Sequence, residues 1–278
     1  MRSETIRIGV VGPAGRVSRK AAERVTELAR ATYGDRVAIE FHPQCFLSAG
    51  HFAGDDEVRA HAFIEVANDP SFDVLWVGRG GYGSGRIAPK VIPALGPEAR
   101  AKTYLGYSDA GALFGAMYRH GIGTIFHGPM PADMARDNGD VAIARALSFL
   151  TDRDEAALEP NISREAPNAA FNITILSHLL GTPFEPDLSG HVVMLEEVSE
   201  HMYRIDRALL QITSSPMMRR AKGLRLGRCS AIPANDPDFG QTEEEVIRHW
   251  CQVSGIPYLG RADIGHDIDN KIVPFGRL

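Results

Sequence analysis

Cysteine is scarce in this chain of 278 residues. Cys45, Cys229 and Cys251 are the only three, they lie far apart, and none forms a C-x-x-C pair. That argues against a disulfide framework or a thiolate zinc site. Long hydrophobic runs are missing too. No stretch approaches the roughly 18 apolar residues of a transmembrane helix, so no membrane partner is expected. The opening Met-Arg-Ser-Glu-Thr-Ile-Arg-Ile lacks the apolar segment of a secretory leader, which makes the cytoplasm the expected location. There is no basic excess: the formal net charge is −5, which argues against a dedicated nucleic-acid binder. Repeats and low-complexity tracts are absent. What is present is ordinary globular composition, 44% hydrophobic and 23% charged, in a chain long enough for one large domain or two smaller ones.

The hydrophobic periodicity alternates between strand and helix. Ile6 to Val11 is a short apolar run closed by Gly12-Pro13 and reads as a buried strand. Between Ser18 and Tyr33, Ala21, Val25, Leu28 and Ala29 recur at helical spacing, with Ser18 as N-cap and Gly34 as stop. Further strands are predicted at Val37 to Phe41, Val74 to Val77, Thr103 to Tyr107 and Thr124 to Phe126, with helices at Asp55 to Asn68 and Ala110 to Arg119. This pattern predicts an α/β fold whose N-terminal domain has a largely parallel sheet flanked by helices. From about Pro129 to Asn168 the pattern loosens around one helix, Val141 to Leu150, and reads as a connection. Beyond it come a helix at Ile173 to Leu180, a strand at Val192 to Leu195, a helix at Met202 to Ile212, a strand near Leu224, and a Thr242–Glu245 capping box opening a helix to Ser254. The expected division is residues 1–150, an α/β domain, and residues 151–278, a linker with a smaller C-terminal α/β domain.

Three places could carry chemistry. The first is Gly78-Arg-Gly-Gly-Tyr-Gly-Ser-Gly-Arg86, which holds five glycines in eight residues. It contains a formal G-x-G-x-x-G, but a dinucleotide fingerprint must open a helix, and Gly85, Pro89 and Pro93 predict a loop with at best a short helix. A backbone-rich loop that brings main-chain N–H groups to a negative atom is the better reading. The second is Leu105-Gly-Tyr-Ser108-Asp109-Ala-Gly111, where a strand runs through a serine straight into a helix. That layout suits a nucleophile elbow. The spacing alone also admits a plain N-cap, the commoner role of a serine after a strand. The third pairs Glu196, in Leu-Glu-Glu-Val, with His266, in Ile-Gly-His-Asp-Ile-Asp-Asn. A serine nucleophile needs a base, and the base needs an acid to orient it. Asp263, His266, Asp267 and Asp269 raise a metal site as an alternative, but aspartates crowded in a polar loop are commonly turn formers.

Taken in order, these segments resemble the LD-carboxypeptidase family of serine peptidases, which includes muramoyl-tetrapeptide carboxypeptidases and microcin C self-immunity peptidases. The resemblance runs from Ile8-Gly-Val-Val-Gly-Pro13 and Phe52-Ala-Gly-Asp-Asp56 through Gly80–Arg86, Gly106–Asp109 and Phe126-His-Gly-Pro-Met130. It continues with Leu179-Leu-Gly-Thr-Pro183, Leu195–Val198 and Tyr203-Arg-Ile-Asp-Arg207, and closes with Gly265-His266 and Pro274-Phe-Gly276. It implies a Ser108–Glu196–His266 triad, oxyanion donors in the Gly81 and Asp109 amides, no cofactor and no metal. It implies a small peptide substrate, a murein tetrapeptide cut before its terminal D-Ala; a homodimer is the expected assembly. Ala170-Phe171-Asn172-Ile173 stands where the family usually carries Gly-Gly-Asn-Leu, which bears on the substrate. The alternatives are an immunity-type peptidase acting on peptidyl or aminoacyl nucleotides and a catalytically idle binding protein.

Overall fold

The computed structural model describes residues 5–278. Residues 1–4, the start of the stretch read above for a leader, lie outside the described residues. In chain order the first half contains β1 (Ile6–Val11), α1 (Arg19–Tyr33), β2 (Val37–Phe41), α2 (Asp56–Asn68), β3 (Val74–Val77), α3 (Ser84–Ala94), α4 (Pro97–Ala101), β4 (Thr103–Gly106), α5 (Ala110–Arg119), β5 (Thr124–His127) and α6 (Gly139–Asp152). The second half contains β6 (Asn168–Asn172), α7 (Ile173–Leu179), β7 (Val192–Val198), α8 (Met202–Ser214), β8 (Gly223–Ser230), α9 (Glu243–Ser254), β9 (Tyr258–Arg261) and β10 (Val273–Pro274). Among the described residues no helix is long and apolar enough to cross a membrane.

Side-chain caps set the helix starts, at Ser18 and Thr242 as the sequence predicts and at Asp55 and Asn172 besides. Ser18 accepts from the Ala21 amide at 3.1 Å, Asp55 from Val58 at 2.8 Å, and Asn172 from Ile175 at 3.1 Å. Thr242 and Glu245 form the reciprocal box at the start of α9, and Gly255 ends that helix in the left-handed conformation.

Six strands form one sheet in the order β10-β5-β4-β3-β1-β2. Neighbours from β2 to β5 are parallel, while β10 pairs antiparallel with β5. Every residue of β3 and β4 is buried, as expected of strands covered by helices on both faces. The sequence runs outward from β1 to β2 and then back past β1 to β3. This places a topological switch point between β1 and β3, where a crevice opens at the carboxyl ends of the strands. A second, wholly parallel sheet has the order β6-β7-β8-β9. The two sheets are tied at the C-terminal end: after β10 pairs with β5, Gly276 exchanges backbone hydrogen bonds with Asn168 at the start of β6, 2.7 and 2.8 Å.

Three expectations need correction. Residues 84–94, read as a loop with at best a short helix, form an eleven-residue helix that contains Pro89 and Pro93. A helix-interior proline costs about 3 kcal/mol. Ile87 and Val91, both essentially buried where α3 packs on α2 and α5, contribute roughly 1.5–3 kcal/mol each against the cost of the two prolines. No strand was predicted between the connection and the helix at Ile173, yet β6 lies there. Its sequence Asn-Ala-Ala-Phe-Asn is buried at every position and so shows no alternation. The strand at Val192 also runs three residues further than predicted, through Val198, which puts Glu196 and Glu197 inside it.

Candidate active site

β4 leads into the serine through a sharp turn. Ser108 has φ 60°, a left-handed conformation that a non-glycine residue adopts only under constraint from its surroundings. The constraint here comes from both sides: Gly106 belongs to the buried β4, and Asp109 already occupies the N-cap position of α5. Ser108 is therefore not the N-cap. Its hydroxyl stands half-buried at the strand–helix corner, with Oγ 2.9 Å from His266 Nε2.

His266 lies on the loop between β9 and β10 and is 9% exposed. Its Nδ1 is 2.5 Å from Glu196 Oε2, and Glu196 is completely buried on β7. The register of β7 on β8 shifts beside Glu196: Leu195 faces Leu226 and Glu197 faces Cys229, so β8 carries one extra residue there. Gly227 on β8 permits this: a Cβ there would sit 2.7 Å from the Ile264 carbonyl and 3.0 Å from Glu196 Cβ. The other Glu196 oxygen, Oε1, has no hydrogen-bond partner among the described residues. Burial is the strongest single influence on the His266 pKa and lowers it. The Glu196 charge and hydrogen bond, helped by Glu197 and Asp133, outweigh it, and the pKa ends above the ordinary histidine value. A hydroxyl, an imidazole and a carboxylate in line can take a proton from the hydroxyl and hold the resulting cation.

The glycine loop faces the serine. A Cβ on Gly80 would lie 2.9 Å from Ser108 Cβ and 3.0 Å from its Oγ, so any side chain there would crowd the hydroxyl. The amides of Gly81 and Asp109 donate to no protein acceptor among the described residues. Both are free to meet an anion. The Asp109 carboxylate turns inward and accepts from the Ser84 amide at 2.8 Å, while the Ser84 hydroxyl donates to the Asp109 carbonyl. Burial pushes the Asp109 pKa up against these bonds. The elbow and the glycine loop are thereby locked to one another, a tie that sequence reasoning missed because it considered only the Asp109 amide.

Other supports were equally invisible in the sequence. Glu197 accepts from Asn172 Nδ2 (2.6 Å), the Thr174 amide (2.9 Å) and hydroxyl (2.7 Å), and the Val198 amide (2.8 Å). Burial raises its pKa despite these donors. Adjacent acids on one strand thus serve opposite faces. Asn270 Oδ1 accepts from the Gly265 amide and lies 3.1 Å from His127 Nε2, which must then carry the proton; this fixes the loop just before His266. Tyr107 donates to Asp133 at 2.8 Å, and Arg136 pairs with the same carboxylate at 2.9 Å. The aspartate cluster near His266 is occupied by Arg228, which binds Asp263 at 2.5 Å and Asp267 at 2.5 and 2.8 Å.

These groups open on a cleft of about 570 Å³ whose walls include Arg16, Arg79, Gly81, Ser108, Val198 and His266. Both sheets contribute to it.

Residues 8–128 match the family model of the LD-carboxypeptidase N-terminal domain, and residues 169–278 match that of the LD-carboxypeptidase C-terminal domain. A Synechocystis protein that carries a carboxypeptidase name is 32% identical over 234 residues, 82% of this chain and 75% of its own length. The murein tetrapeptide carboxypeptidase of Pseudomonas aeruginosa is 24% identical over 245 residues, 82% of this chain and 78% of its own. Among solved structures, the muramoyltetrapeptide carboxypeptidase from Oxalobacter formigenes aligns with a TM-score of 0.79 at 25% identity, covering 97% of this chain and 92% of that one. The microcin C7 self immunity protein MccF shares the fold, with a TM-score of 0.75 at 16% identity over 98% of this chain and 96% of its own.

Proposed function

Because the chain belongs to the LD-carboxypeptidase family, we propose that it removes the terminal D-amino acid of a murein tetrapeptide through an acyl-enzyme on Ser108. Family membership makes it a hydrolase of the serine carboxypeptidase class. The observation that carries the finer reading is the hydrogen-bonded line from Ser108 through His266 to Glu196, which spans both halves of the chain.

In this mechanism Ser108 Oγ attacks the carbonyl carbon of the scissile amide while His266 Nε2 takes its proton. The developing oxyanion meets the Gly81 and Asp109 amides, each such donor accounting for about 10²–10³ in rate. The C–N bond then breaks, and His266 passes the proton to the leaving amine. Water, deprotonated by the same imidazole, hydrolyses the ester and restores Ser108. Glu196 holds the Nδ1–H tautomer and stabilises the imidazolium. No step calls for a cofactor or metal.

The base works only when neutral. Since the His266 pKa lies above the ordinary value of about 6.5, kcat/KM should rise with pH along an acid limb whose midpoint is above that value. A pH–rate profile from pH 5 to 9 checks this; a midpoint well below 6.5 would show that Glu196 does not act on the imidazole of the free enzyme.

The substrate is tested with murein tri-, tetra- and pentapeptides beside an aminoacyl nucleotide, with products resolved by chromatography. The proposal expects D-Ala from the tetrapeptide. Turnover of the nucleotide conjugate alone would move the protein to the immunity-type reading, and turnover of nothing would leave a binding protein. The same proposal includes the division at about residue 150, a cytoplasmic place of action and a homodimer.

A further inference from the structure

We propose that Arg16 and Arg79 together bind the free α-carboxylate of the substrate's terminal residue and so restrict the cleft to chain ends; this rests on the LD-carboxypeptidase reading above. Arg16 lies on the loop after β1 and Arg79 on the loop after β3, so the pair flanks the switch-point crevice. That is where an α/β sheet of this order receives its ligand. The loops are stitched together: the Gly15 amide donates to the Gly80 carbonyl at 3.1 Å, and Arg79 Nη1 donates to the Arg16 carbonyl at 3.2 Å. Gly15 makes room for the arrangement, since a Cβ there would sit 3.4 Å from the Arg79 Cδ and Nε and 2.9 Å from the Gly80 carbonyl.

The two charges are uncommitted. Among the described residues neither Arg16 nor Arg79 pairs with a carboxylate, whereas the third arginine of the cleft, Arg136, is held by Asp133. Two guanidinium groups without a carboxylate partner, both lining the cleft, leave a place for an anion there. A guanidinium fork suits a carboxylate better than any other side chain does.

Distance selects which carboxylate. Arg79 is the neighbour of Gly80, whose Cα faces Ser108. In a peptide cut at its last bond, the terminal carboxylate lies only a few bonds from the carbonyl under attack. A receptor one residue from the glycine that touches the nucleophile is correctly placed for it. An internal carboxylate of the same peptide lies on the other side of the scissile bond.

The test compares two substrates, the murein tetrapeptide with a free terminal D-Ala carboxylate and the same peptide as its terminal carboxamide. The wild type should prefer the acid by roughly 10–100-fold in kcat/KM, the range expected for losing a charge-assisted contact. In the Arg16→Gln/Arg79→Gln double variant that preference should collapse toward about one, chiefly through a higher KM for the acid, and Arg79→Lys should retain part of it. The ratio is read within each protein, so a general loss of folded enzyme cannot mimic the result. A double variant that keeps the wild-type preference overturns this inference and leaves the peptidase reading standing. A wild type that releases product from neither peptide overturns both.

Discussion

Ser108→Ala is expected to lower release of the terminal residue by about 10⁴-fold or more, the usual loss for a triad nucleophile. The fold should survive. Alanine keeps the Cβ, so the strain at φ 60° is unchanged. The change deletes one half-buried hydroxyl and its contact to His266, worth about 1 kcal/mol. For a chain of this size that shifts the melting temperature by about 2–4 °C. Steady-state rates and a thermal melt on the same preparation separate the two effects. A near-wild-type rate in a clean preparation would remove Ser108 from the mechanism.

Glu196→Gln and Glu197→Gln should diverge sharply although the residues are neighbours. Glu196→Gln keeps the shape but removes the anion that faces His266 Nδ1 at 2.5 Å. The equivalent loss in a serine protease costs about 10⁴ in rate, and here the His266 pKa should fall as well. Glu197 meets Asn172, Thr174 and Val198, whereas the hydrogen bonds of His266 go to Glu196 and Ser108. An amide at 197 would turn its NH₂ toward at least one of those donors. The expected cost is therefore stability, about 1–3 kcal/mol for a buried group left unpaired, with little change in kcat. Rates and melting curves for both variants read the contrast. A crippled rate in the Glu197 variant with a normal Glu196 variant would reverse the assignment.

The alternation of strands and helices was legible because these strands are short apolar runs and these helices carry their caps in the sequence, as at Ser18, Asp55 and Thr242. The exceptions have physical causes. β6 is buried on both faces yet built mainly from alanine and asparagine, so neither alternation nor branched side chains announce it. β10 is two residues long and includes a proline, tolerated because it sits at the edge of the sheet. Residues 84–94 carry two helix-breaking residues whose cost only tertiary packing reveals.

The candidate site was less legible. Ser108 and His266 stand 158 positions apart, and Glu196 and His266 stand 70 apart. No spacing rule connects them; two sheets and the loop after β9 bring them together. By pattern alone Ser108 reads as a helix cap, and only the ordered resemblance across the chain picked out the three residues. Asn270, Asp133 and the pair Arg16 and Arg79 had no local signal at all, because their neighbours in space come from other loops.

In this mechanism Ser108 Oγ forms the covalent bond to substrate. A murein peptide bearing a phosphonofluoridate in place of the scissile amide, followed by peptide mapping of the protein, tests that bond. A single stoichiometric adduct on Ser108 is expected, formed quickly by the wild type and absent from Ser108→Ala. An adduct on another residue, or none while the wild type cleaves the parent tetrapeptide, would contradict it.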